Sequence, residues 1–191
     1  MMEASRARAG GASARVKTKA GWQSNMDYVV RQVRDSDAGE LVGIFNLYAD
    51  TWATFFDKPI SEDNFHSMQK EAEGYPFLVA EHEGRPVGFG LLRPFHFSPL
   101  MRRAAMTSYF LHPEQRGQGL GSLLLEALEQ AAAKKGIDNL VAPIVSHNAD
   151  SLAFHQRRGF ERCGLVDPAG RMFDQDFGVV FMQKKVTNAD E

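Results

Sequence analysis

The stretch from His112 to Ser122 reads His-Pro-Glu-Gln-Arg-Gly-Gln-Gly-Leu-Gly-Ser, and its alternate glycines, Gly117, Gly119 and Gly121, are the residues best placed to do chemistry. They lie between a strand-like run (104–112) and an amphipathic run in which Leu120, Leu123, Leu124, Leu128 and Ala131 recur at helical spacing. Glycine lets the backbone turn tightly and lets a ligand approach without an intervening Cβ. The first amides of a helix have no internal partners and carry its positive dipole end. Strand, glycine loop and helix in that order therefore make an anion site suited to a pyrophosphate. A dinucleotide fingerprint would need a glycine at Ser122, and a P-loop would need Gly-Lys-Ser/Thr; neither is present. A purely structural glycine turn is the other reading.

A second block follows one strand and one helix later: Asn148, Ser151, Phe154, His155, Gly159 and Phe160. Its imidazole, His155, titrates near neutral pH and is suited to moving a proton. The alternative is a histidine that only packs.

The elements that must position these blocks are legible from periodicity. Tyr28 to Val33 predicts a short strand, and Asp35 to Asp37 offer cap oxygens for a helix lined by Leu41, Ile44, Phe45 and Tyr48. Ser61 caps a second helix that ends near Glu73, before Gly74 and Pro76. Phe77–Ala80 and Val87–Leu92 read as a hairpin about Glu83-Gly84. After the glycine-led helix, stopped by Gly136, come a strand (140–145), a helix (149–158), a strand from Phe160 and a last strand (178–185). The order is that of a mixed α/β sheet with one strand–helix–strand crossover.

Composition sets outer bounds. A chain of 191 residues with 43% hydrophobic and 24% charged residues is a single globular domain with an ordinary core. A net charge of −2 argues against a nucleic-acid partner, and no apolar run has the length of a membrane helix. The first twenty residues carry Arg6, Arg8, Arg15, Lys17 and Lys19 against Glu3 alone. Residues 1–25 are therefore expected to be a disordered basic tail, read as a solvated extension (with Met26 an alternative start), a transit peptide or a basic arm for nucleic acid. Residues 26–187 form the domain and 188–191 a C-terminal tail. The one cysteine, Cys163, excludes an internal disulfide and points to a reducing, cytoplasmic setting; it is expected to be a buried structural thiol. The histidines do not fall in ligand spacing, so no metal is expected.

Arg116, Gly119 and Gly121 satisfy the pattern Q/R-x-x-G-x-G/A, and the block from Asn148 to Phe160 is similar to N-x-x-A/S-x-x-x-Y-x-x-x-G-F. On these residues the sequence resembles the GNAT superfamily of N-acetyltransferases over about residues 27–186. The resemblance implies the GNAT acyl-CoA N-acyltransferase fold, a mixed central sheet of about seven strands flanked by helices. It implies acetyl-CoA as cosubstrate, with the amides of Gly117, Gln118, Gly119, Leu120, Gly121 and Ser122, led by Arg116, on the pyrophosphate. It places the pantetheine arm along Tyr109, Phe110 and Leu111, with Asn148 bonding that arm and the two flanking strands splayed apart. His155 stands where many members carry a tyrosine that protonates the departing thiolate. A homodimer is also implied.

Gly74–Glu81, Gly84–Gly88, Pro94-Phe95 and Val180–Gln183 narrow the resemblance to the phosphinothricin and methionine-sulfoximine acetyltransferase branch, whose acceptors are small amino-acid analogues. The branch carries an acid where this chain has Met106, and another where it has Phe56; of its Tyr-Arg pair only Arg102 is retained, after Met101. Phe56, Arg102 and Met106 are thus the candidate acceptor residues, in a pocket expected to be less negative and more apolar. Methionine cannot take a proton, which leaves a water chain, His96, His112 or Asp57 as routes for the amine proton. Trp52, Phe55 and Phe56 lie in the loop that in this family covers the acceptor, or else are core residues; Phe55 is expected in the core and Phe56 in either place. The readings that follow are a small-molecule N-acetyltransferase, a protein or peptide N-acetyltransferase, and an acetyl-CoA-binding sensor without catalysis.

Overall fold

The computed structural model describes residues 28–186, so the expectations for the basic tail and the last residues lie outside the described part. Seven strands form one mixed sheet: β1 (Tyr28–Gln32), β2 (Phe77–His82), β3 (Arg85–Pro94), β4 (Ala104–Leu111), β5 (Asn139–Val145), β6 (Glu161–Met172) and β7 (Gln175–Lys185). Their spatial order is β1-β2-β3-β4-β5-β7-β6. Only β4 and β5 run parallel; α3 (Leu120–Ala133) is the crossover between them. The expected GNAT-type α/β sheet is thus present.

Alternation along the strands builds two cores, one per face. Phe77, Val79, Phe89 and Leu91 join Leu41, Ile44 and Phe45 of α1 (Ala38–Asn46) and Phe65 of α2 (Glu62–Glu71). Leu78, Leu92, Leu140 and Met182 join α3 on the other side, with Leu152 and Phe154 of α4 (Ala149–Arg157) against them. Ser61 caps α2 as expected, its hydroxyl accepting the Asn64 amide.

Two expectations are corrected. The buried stripe of α3 is Leu120, Leu124, Leu125, Leu128 and Ala132, so Leu123 and Ala131 lie at its margin; a leucine-rich run satisfies two helical phases equally well. Cys163 is exposed, not buried. It sits on β6, the sheet edge, whose residues from Glu161 to Ala169 are all exposed because, among the described residues, no layer covers them.

The start of the domain is tied by charge. Arg31 of β1 pairs with Asp37 at 2.7 Å and with Glu81 of β2 at 2.5 Å. The Arg31 guanidinium holds the Asp37 carboxyl below its usual range against the opposing effect of burial. A depressed folded pKa means stability that is present above about pH 3.9 and lost as pH falls through the lower folded value. Asp37→Asn is expected to lower stability by about 1–3 kcal/mol at neutral pH in urea unfolding. The gap from the parent should close in acid.

Candidate active site

Strands β4 and β5 pair only at Ala104↔Asn139, Ala105↔Leu140 and Met106↔Val141. Past that point β4 stays with β3 as far as Leu111↔Gly88, while β5 stays with β7 as far as Val145↔Val179. The strands part, and a cleft of about 330 Å³ opens between Thr107–Phe110 and Ala142–Val145. Its lining continues onto the loop at Ala53–Phe56, the α2 face at Asn64, Ser67, Met68 and Glu71, and Asn148, Ser151 and His155 of the α4 region. That volume suits a small ligand.

The glycine loop lies between the end of β4 and α3. Gly117 and Gly119 have φ of +76° and +85°, a region that L side chains resist, and a Cβ on either would meet nothing within 4 Å. Among the described residues the amides of Gly117, Gln118 and Gly119 make no hydrogen bond to backbone. Gly121 serves close packing: a Cβ there would stand 3.3 Å from Phe154 and 3.4 Å from Leu111. Open space, free amides and a helix start together fit a pyrophosphate. The Leu120 side chain is core, so only its backbone faces this loop. The Arg116 guanidinium lies 5.0 Å over the Tyr48 ring, and the Gln118 amide group donates to the Glu114 carbonyl at 2.8 Å. Ser122 donates its amide to the Gly119 carbonyl.

On the α4 side of the cleft, Tyr109 and His155 form a bonded pair, with Tyr109 Oη 2.6 Å from His155 Nε2. His155 Nδ1 lies 2.7 Å from the Ser151 carbonyl, which can only accept, so Nδ1 carries a proton. Burial holds the His155 imidazole below its ordinary range, offset in part by that carbonyl, and keeps the ring neutral. Nε2 is then bare, and the Tyr109 hydroxyl donates to it. Burial also pushes the Tyr109 phenol well up.

The remaining predicted residues divide. Phe110 lines the cleft, as does Asn148, whose Oδ1 caps α4 by accepting the Ser151 amide at 3.1 Å. The Leu111 carbonyl already accepts from the Tyr48 hydroxyl. Phe56 lines the cleft, and so does Phe55, which had been expected in the core; both are nearly half exposed. Trp52 packs instead on His147 and Phe173. Arg102 and Met106 lie outside the lining: Arg102 is exposed in the turn before β4, and Met106 sits in the paired part of that strand, opposite Arg93. His96, His112 and Asp57 are outside it too. Sequence reasoning missed Glu71 and Arg93, which meet at 3.3 Å on the cleft wall; nothing in their local pattern marks them. Among the described residues no cluster of three or more His, Cys, Asp or Glu is placed to hold a metal.

These features make a candidate small-ligand site on a split sheet, and sequence comparison gives the family. The acetyltransferase (GNAT) family profile matches residues 33–160, and the chain belongs to that family. An L-methionine sulfoximine/L-methionine sulfone acetyltransferase from Pseudomonas paraeruginosa is 34% identical over 161 residues, covering 79% of this chain and 92% of the relative. Two solved structures superpose closely. One is a phosphinothricin acetyltransferase from Sinorhizobium meliloti in complex with acetyl-CoA (TM-score 0.79, 27% identity, 85% of this chain and 90% of that one). The other is a ribosomal-protein-alanine N-acetyltransferase from Brucella melitensis (TM-score 0.76, 31% identity, 82% and 98%).

Gly119→Val forces a β-branched side chain into left-handed backbone and points it into the cradle. Calorimetry should show acetyl-CoA affinity at least about tenfold weaker, a loss of about 1.4 kcal/mol or more.

Proposed function

We propose that the protein transfers acetyl from acetyl-CoA to the primary amine of a small amino-acid-like acceptor by direct attack. The observation that carries this reading is the cleft that opens where β4, the strand leading into the glycine loop, leaves β5, sized for a thioester end and a small amine. The match of Arg116, Gly119 and Gly121 to the family pattern supports the pyrophosphate at Gly117–Ser122, and the S. meliloti relative was solved with acetyl-CoA. The cosubstrate arm runs along Tyr109, Phe110 and Leu111 past Asn148. Acetyl-CoA is already an activated thioester, so the step needs chiefly a neutral amine held in line with its carbonyl.

The acceptor half is more apolar than that of a phosphinothricin enzyme. Phe45, Phe55, Phe56, Met68 and Leu91 line it, and Phe56 stands where that branch carries an acid. Its charge is confined to the Glu71–Arg93 pair. Arg93 is suited to an acceptor carboxylate and Glu71 to its ammonium before deprotonation; the apolar wall takes a side chain larger than that of phosphinothricin. A second reading, a protein N-terminus as acceptor, is favoured by the likeness to the B. melitensis enzyme. The proposal includes a cytoplasmic setting, drawn from the lone cysteine, and a homodimer, for which Phe97 and Leu100 in the β3–β4 loop offer exposed apolar surface.

The test is thioester consumption with L-phenylalanine, L-methionine, methionine sulfoximine, phosphinothricin and an alanine-initiated peptide. Turnover of L-phenylalanine or L-methionine should exceed that of phosphinothricin in kcat/KM by about tenfold, the discrimination an apolar wall supplies. Preference for phosphinothricin or methionine sulfoximine overturns the altered pocket, and preference for the peptide favours the second reading. Arg93→Ala should raise KM for the amino acids by about tenfold with a smaller change in kcat.

A further inference from the structure

The Tyr109–His155 pair has an orientation, and that orientation assigns it work. His155 is buried at 3% exposure, its ring stacked on Tyr109 with centroids 5.4 Å apart and crossed edge-on by Phe154 and Phe160. Its Nδ1 proton is committed to the Ser151 carbonyl and its Nε2 to the Tyr109 hydroxyl. In this state His155 holds no proton free to give. Tyr109, by donating to Nε2, turns the remaining lone pairs of its oxygen outward from the histidine on the cleft wall. A group so arranged accepts a proton first. The ionisable side chains lining the cleft are Glu71, Arg93, Tyr109 and His155, and Glu71 and Arg93 are occupied with each other.

Resting on the acetyl-transfer reading above, we propose that Tyr109 carries the proton from the attacking amine to the departing thiolate, and that His155 is a positioning residue that stores this proton through Tyr109. The amine lone pair forms the C–N bond at the acetyl carbon while the carbonyl pair moves onto oxygen. One N–H proton passes to the Tyr109 oxygen as the phenolic proton passes to His155 Nε2. The imidazolium so formed keeps hydrogen bonds to Tyr109 and to the Ser151 carbonyl. The oxygen pair then returns, the C–S bond breaks with its electrons on sulfur, and the stored proton goes back through Tyr109 to the thiolate. Amide and CoA thiol leave, with both residues in their starting states. The relay supplies the base that Met106 and Phe56 cannot provide.

The surroundings favour a transient charge over a resting one. Burial lowers the His155 pKa and raises that of Tyr109; the charged groups acting on the pair are Glu129 of α3, which raises the phenol further, and Arg158 after α4, which opposes it. Glu129 is itself paired with Lys184 of β7 at 2.5 Å. Since His155 must be neutral to accept, kcat should fall as pH drops through its lowered pKa, below the ordinary value of about 6.5.

The test compares the parent with Tyr109→Phe, His155→Gln and the double variant, using L-phenylalanine and L-methionine as acceptors. Each single change should lower kcat by about 100-fold, with acetyl-CoA affinity within about twofold of the parent, which also shows the site still folded. Tyr109→Phe should lose the acid limb of the kcat profile, and the double variant should be no slower than either single one. Tyr109→Phe within about threefold of parental kcat overturns the relay. So does a Tyr109→Phe enzyme that keeps the acid limb, since His155 would then act directly, and so do losses that multiply in the double variant. A parent that acetylates neither amino acid but acetylates the peptide or another amine overturns the acceptor reading alone, and the same variants then test the relay with that amine.

Discussion

The parting of β4 from β5 after three residue pairs is the constraint on which everything else in this fold rests. A sheet interior does not tolerate a gap, because each strand edge presents amides and carbonyls that need partners. Both strands keep one full neighbour, β3 for the first and β7 for the second, so each stays rigid while their facing edges are released. The Tyr48 hydroxyl bonded to the Leu111 carbonyl fastens the free end of β4 to the α1 side, and the Arg116 guanidinium over that same ring fastens the glycine loop next to it. What is left between the strands is a length of backbone unpaired on one edge, on which the cosubstrate arm lies under the acetyl-transfer proposal. The same strand β4 leads into the glycine loop and helix start proposed for the pyrophosphate.

The cleft also separates charge from neutrality. Its ionised groups, Glu71 and Arg93, stand on the α2 and β3 side and are partly open to solvent. Its deep groups, Tyr109 and His155, are neutral because burial penalises their charged forms in opposite directions. An amine attacking a thioester passes through charge separation and ends uncharged. Fixed dipoles and a neutral proton acceptor suit that path better than a resting ion pair in a low-dielectric pocket.

How much of this was legible in the sequence follows from the range of the interactions. The glycine loop was readable because it is local: positive φ, a helix start and a preceding strand occupy adjacent residues. The Ser61 cap and the β2–β3 turn were readable for the same reason. The Tyr109–His155 bond joins residues 46 apart and the Glu71–Arg93 pair residues 22 apart, and no local pattern encodes either. Cys163 misled because a strand's sequence shows its alternation but not whether another layer covers it. Met106 and Arg102 illustrate a related limit. The family match aligns their positions, but whether a residue stands in the paired or the parted length of β4 depends on where β5 lets go.

Glycines in β3 connect the core to the Tyr109–His155 pair. Gly90 lies opposite Tyr109 in the register, and a Cβ there would come within 2.8 Å of Leu128 and 3.2 Å of the Tyr109 Cβ. Gly88 is as crowded, with Leu111 at 2.6 Å. Neither has a left-handed backbone, so their value lies in the missing side chain: Gly90 lets Leu124 and Leu128 of α3 settle onto β3 at the level of Tyr109, and Gly88 leaves room for Leu111 of β4. With Leu124 and Leu128 seated in that space, Tyr109 packs against the core that contains them and stacks on His155, to which its hydroxyl is hydrogen-bonded. The glycine loop leaves room for a ligand, which under the acetyl-transfer proposal is the donor. Gly90 leaves room for leucine beside Tyr109, the proposed proton carrier.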